Sequence, residues 1–148
     1  MFRAFLLTAL VLATVGTAHA FLGLFSQNQR VTAEDGQVRI PLSRISDGKA
    51  HYFSFRDQGT ELKFFVLKSP DNVIRAAFDA CDVCYGEKKG YSQDKEFMVC
   101  NNCGMRFHSS RINEVEGGCN PSPLTRSVEN GEVVITVSDL SAGARYFR

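Results

Sequence analysis

The sequence predicts an all-β fold: one small β-sandwich domain with two cysteine knuckle loops, behind an N-terminal leader. Three observations carry this. Short runs of β-branched and aromatic residues recur between Gly, Asn, Asp and Pro turn signals. No stretch beyond the leader shows helical periodicity. All five cysteines crowd into residues 81–119, four of them as two C-x2-C pairs fifteen residues apart.

Residues 1–20 read as a secretory signal peptide. Arg3 gives the positive start, Ala4 to Val15 the apolar stretch, and Ala18-His19-Ala20 the small-x-small cleavage site. Cleavage would leave one domain's worth of chain, residues 21–37 as a tether and 38–148 as the β-domain, with no membrane span expected in the mature protein. Export places the protein in the periplasm. The 17 Lys+Arg against 16 Asp+Glu give a net charge of +1, so no basic footprint for nucleic acid is present.

The elements follow in order. Val38-Arg39-Ile40-Pro41-Leu42 is expected as an edge strand, since Pro41 lacks an N–H for a central ladder. Ser46 to Lys49 turns, Ala50 to Phe55 is a strand, and Asp57-Gln58-Gly59 turns again. Glu61 to Lys68 is the strongest strand candidate. Ser69-Pro70-Asp71-Asn72 then turns, with proline at the second position. Val73 to Asp79 returns and delivers the chain into Cys81. Gly86 to Gly90 is expected as a loop, Tyr91 to Lys95 as a turn, and Glu96 to Val99 as a strand entering Cys100. Thr125 to Val128 and Val133 to Val137 form a closing hairpin around Asn130-Gly131.

A C-x2-C hairpin points two thiolates into one small volume, and two hairpins together give the tetrahedral sulfur set of Zn, mononuclear iron or an Fe–S cluster. Cys81, Cys84, Cys100 and Cys103 are therefore the candidate cofactor and metal ligands, with Cys119 in Gly-Gly-Cys-Asn-Pro as a candidate fifth. Gly104 suits the second knuckle, where the backbone approaches a sulfur. Two redox pairs or structural disulfides are the competing reading in an oxidising compartment. Neither pair is followed by His, which excludes covalent c-type haem by motif. Met98 and Met105 read as packing residues, His51 as structural and His108 as surface. No catalytic set is visible: no Ser/His/Asp arrangement, no phosphate loop and no paired carboxylates in a recognisable context. A binding or electron-transfer protein outranks an enzyme.

Two resemblances add to this. Phe64-Phe65-Val66-Leu67, the Cys81/Cys84 pair, Gly90, the Cys100/Cys103-Gly104 pair, Phe107, Pro123-Leu124 and the hairpin at Asn130-Gly131 resemble the order of pieces in a Rieske-type domain. That family pairs Cys with His in each loop, whereas neither pair here contains His, so a [2Fe–2S] centre would be all-thiolate and of low potential. Ala80-Cys81-Asp82-Val83-Cys84, Gly90-Tyr91, Val99-Cys100-Asn101-Asn102-Cys103-Gly104 and Gly117-Gly118-Cys119-Asn120-Pro121 resemble the FtrD-like iron–sulfur family of bacteria. That resemblance implies an iron–sulfur cluster or mononuclear iron. It also implies a role in electron transfer or iron handling, with a membrane iron permease or periplasmic iron- and copper-handling proteins as partners. A structural Zn-binding interaction module and a periplasmic thiol–disulfide protein are the alternatives.

Overall fold

A computed structural model describes residues 28–148, and these form ten strands and one short α-helix. The expected signal peptide and residues 21–27 of the expected tether lie outside the described residues. The strands are β1 (Gln29–Val31), β2 (Gln37–Pro41), β3 (His51–Asp57), β4 (Thr60–Lys68), β5 (Ile74–Phe78), β6 (Tyr91–Asp94), β7 (Phe97–Cys100), β8 (Arg106–His108), β9 (Ser127–Glu129) and β10 (Glu132–Thr136); the helix α1 is Val137–Ala142. They form three sheets, ordered β1-β3-β4-β5, β2-β10-β9 and β6-β7-β8.

The all-β expectation holds, and β4 shows why. Its run Leu62 to Leu67 is nearly continuous in apolar residues because the strand is buried on both faces. Leu62, Phe64 and Val66 face the β2-β10-β9 sheet and build a core with Val38, Ile40, Phe53, Val133 and Ile135. Phe65 and Leu67 face the other way and pack with Ala77, Tyr91, Met98 and two of the cysteines. The four-stranded sheet is thus the middle layer, with the β2-β10-β9 sheet on one side and the cysteine-bearing sheet on the other.

The turns obey their residues. Gln58 and Gly59, and Asn130 and Gly131, all take positive φ, so each pair makes a two-residue hairpin connection. Pro41 sits in β2, whose one ladder partner is β10, as an edge strand requires.

Three expectations on local structure are corrected. Residues 28–37 do not all act as a tether: β1 pairs in parallel with β3, and Asp35-Gly36 makes a tight turn between Glu34 and Gln37. Tyr91 to Lys95 is a strand rather than a turn over Tyr91–Asp94, because it pairs antiparallel with β7 from Tyr91↔Cys100 to Asp94↔Phe97. Val137 opens a helix instead of ending a strand. The Thr136 side chain accepts the Asp139 N–H at 3.1 Å, the N-cap signal that a strand reading of Val133 to Val137 passes over. Among the described residues no helix is long and apolar enough to cross a membrane.

Candidate metal centre

Each cysteine loop grows out of a strand end. β5 stops at Phe78, and Asp79-Ala80 carry the chain to Cys81; Cys100 is the last residue of β7. In the first loop the Cys84 N–H donates to Cys81 Sγ at 3.2 Å, closing the knuckle. In the second, Gly104 takes φ +74° and its N–H reaches the Cys100 carbonyl at 2.8 Å. A Cβ is disfavoured at such a φ, which accounts for the glycine. The loops are tied to each other: Asn101 N–H donates to Gly90 O at 3.0 Å, Asn101 Nδ2 to Lys89 O at 3.0 Å, and Lys89 Nζ to Asn102 Oδ1 at 2.9 Å.

Folding brings all five sulfurs into two overlapping sets. Cys81, Cys84 and Cys100 form one triad and Cys84, Cys103 and Cys119 another, each with its sulfurs within 4.8 Å of one another. Cys84 belongs to both, and its sulfur lies 3.8 Å from that of Cys119. Cys81 and Cys100 are buried, Cys84 and Cys119 half-buried, and Cys103 exposed. The site therefore has a closed inner end and an open outer end.

Burial and local N–H groups grade the metal-free thiols. Burial pushes the Cys81 thiol up, but the Tyr91 hydroxyl and the Cys84 and Val83 N–H groups outweigh it and leave it below the usual value. Cys100 is pushed up to about 11 by burial, against partial relief from the Cys103 and Asn102 N–H groups. Cys103 comes down to about 7, chiefly through the Met105 N–H. Cys119 is raised by desolvation and by the Cys103 and Cys84 sulfurs beside it. Burial and neighbouring sulfurs raise Cys100 and Cys119, and a cation that displaced their protons would relieve that cost. The donor chemistry fits an iron–sulfur cluster or another thiophilic metal, since it is five sulfurs with no imidazole among them.

Cys119 is held from both sides. Ahead of it, Asn113 accepts the Ala76 N–H at 3.1 Å and donates to the Ala76 carbonyl at 2.8 Å. The buried Arg75 bonds the Ile112 carbonyl at 3.0 Å. Behind it, Phe78 N–H donates to Ser122 O at 2.8 Å and Leu124 N–H to Ala76 O at 3.1 Å. The free edge of β5 is thereby covered and both flanks of the loop are anchored to it.

Sequence reasoning missed the part that Tyr91 plays. Tyr91 donates its hydroxyl to the Cys119 carbonyl at 2.5 Å, joining the small sheet to the fifth cysteine. Asp79 accepts the Tyr91 N–H at 2.7 Å and lies against Gly90, where a Cβ would overlap its carboxylate. The one signal available was Tyr91 itself, since Ser92, Gln93 and Asp94 are all polar and show no alternation. A cleft of about 580 Å³ adjoins Cys81, Cys84 and Cys100, and Tyr52, Tyr85, Tyr91 and Tyr146 all line it. His108 stands apart, bonded to Ser110 and Glu96 and edge-on to Phe97. Met98 is core, as expected, while Met105 is exposed.

A crystal structure of the quaternary ammonium Rieske monooxygenase CntA, in complex with an inhibitor, is similar over 79% of this chain at 16% identity and a TM-score of 0.45. This chain spans 33% of that protein's chain. No match is found among curated proteins. The family described as "Membrane iron-sulfur containing protein FtrD-like" matches residues 45–147, a span that includes every cysteine and every strand from β3 onward. The chain belongs to the FtrD-like iron–sulfur family.

Proposed function

We propose that this protein is an exported iron–sulfur protein that works in electron transfer or iron handling beside a membrane iron-uptake system. The observation that supports this best is the gathering of five sulfurs from three loops into two triads, Cys81/Cys84/Cys100 and Cys84/Cys103/Cys119, that share Cys84. When bound, the iron centre supplies a one-electron couple, which Zn, being d¹⁰, does not. The residues do the rest. Cys81 and Cys100 anchor the buried end, where the Cys84 N–H donates to Cys81 Sγ and the Cys103 and Asn102 N–H groups hold the Cys100 thiol down against its burial. Such N–H donors favour the charged thiolate, so ligands survive a change of charge at the centre. Cys103 lies exposed at the outer end, with Val83 and Met105 also exposed nearby in sequence, which suits electron exchange with a partner across a short gap.

The periplasm is the proposed location, on the strength of the Ala18-His19-Ala20 cleavage signal. The partner is proposed to be a membrane iron permease or a periplasmic iron- or copper-handling protein. Four thiolates without imidazole place the couple well below that of a Rieske centre. A redox titration of the full chain, reconstituted anaerobically with iron and sulfide, should give a reversible one-electron couple at negative potential. A positive potential, or no couple, would count against electron transfer. The Zn-binding interaction module is the alternative, since the same sulfur set accommodates Zn.

A further inference from the structure

We propose that the fourth ligand of the centre is either Cys103 or Cys119, which exchange at the outer end while Cys81, Cys84 and Cys100 stay fixed. This rests on the metal-centre reading above and goes beyond it by replacing a fixed four-cysteine shell with a three-plus-one shell. The arrangement of the sulfurs carries it. Cys103 is not part of the inner triad; it joins the site through Cys84, and so does Cys119. The two stand in equivalent relation to the shared sulfur, each within 4.8 Å of Cys84 and of the other. A tetrahedral centre with metal–sulfur bonds of about 2.3 Å sets its sulfurs about 3.8 Å apart. Cys84 and Cys119 already lie 3.8 Å apart.

The loops differ from the inner ones in a way that permits exchange. Cys103 is followed by Gly104 and Cys119 preceded by Gly117 and Gly118; all three glycines take positive φ, and nothing lies within 4 Å of where a Cβ would stand. The backbone around both sulfurs thus has space for small displacements, whereas Cys81 and Cys100 are packed in the core with Phe65 and Met98. The exchange needs no redox partner. One metal–sulfur bond forms as the other breaks, the incoming thiol releases a proton, the outgoing thiolate takes one up, and no electron moves. The centre then has two forms: one tied to the β7–β8 loop, the other to the loop that Tyr91 holds by the Cys119 carbonyl.

The test uses Cd²⁺ as the probe on the full chain without metal, read by the thiolate-to-cadmium ultraviolet absorbance at saturation. C103S and C119S should each keep the four-thiolate absorbance, and the double variant should lose about a quarter of it, as a four-coordinate shell loses one sulfur. If either single variant shows the double variant's loss, the fourth ligand is fixed and the proposal is overturned. C81S and C100S separate this from the reading beneath it: if they too keep full absorbance, no shared centre exists and both fall. A second measurement does not depend on variants. In cadmium-loaded wild type, iodoacetamide should label Cys103 and Cys119 each in part and spare Cys81, Cys84 and Cys100; complete labelling confined to Cys119 contradicts exchange.

Discussion

Phe64 and Phe65 are neighbours in the chain and belong to opposite halves of the molecule. Phe64 faces a core that holds no cysteine, with Val38, Ile40, Phe53, Val133, Ile135 and Leu140. Phe65 faces a smaller core whose walls include Cys81 and Cys100, with Cys84 and Cys119 packed against it. The difference teaches how the work is divided. The first half holds its shape by apolar burial and owes nothing to a metal. The second is completed by sulfur, so whatever the sulfurs bind becomes part of that core.

The largest expected effect tests this division directly. Phe64→Ala should destabilise by about 3–5 kcal/mol whether or not metal is bound, from lost burial and the cavity left behind. Phe65→Ala should cost a similar amount in the metal-free protein and also weaken metal retention. Denaturant unfolding with and without metal checks both; equal metal retention in the two variants would erase the contrast.

A smaller effect concerns Asp79, at the seam between the halves. Burial pushes its carboxyl up to about 6, against the Tyr91 N–H and the Lys63 charge, which pull it down. A folded value above the unfolded one means that the folded state binds the proton more tightly. The metal-free protein should therefore lose stability as pH rises from about 4 to about 6, on the order of 2–3 kcal/mol at one pK unit per 1.36 kcal/mol, and level off above. Asp79→Asn should flatten that slope in unfolding experiments, since its amide oxygen still accepts the Tyr91 N–H.

The smallest is Tyr91→Phe, which removes the hydroxyl donated to the Cys119 carbonyl. We expect a loss of about 1 kcal/mol, the usual net value of one hydrogen bond. Faster alkylation of Cys119 should accompany it in the metal-free protein, measured by peptide mass. An unchanged rate would mean that Tyr91 does not position the fifth cysteine.

Much of the fold was legible because its signals are local. The Asn130-Gly131 turn, the Pro41 edge strand and the apolar run of β4 each state their structure within a few residues. The two C-x2-C pairs likewise announced a cysteine site. What sequence could not carry was the sharing of sulfurs. Cys103 falls three residues after Cys100, yet it meets Cys84 and Cys119 rather than completing a compact tetrad, because the exposed β7–β8 loop points it outward. Tyr91 to Asp94 misled because Ser92, Gln93 and Asp94 have turn-like chemistry, while their ladder with β7 is a tertiary fact. The Thr136 cap was local and readable, but the strand-forming Val133, Val134 and Ile135 ahead of it outweighed it.

The central claim is that these thiols hold a redox-active iron–sulfur centre. Iron and acid-labile sulfide per chain, measured with the visible spectrum of anaerobically purified protein before and after reduction, tests it most directly. The account predicts iron and sulfide bound together and a visible absorbance that bleaches on reduction. A colourless protein with one Zn per chain and no response to reductant would contradict it.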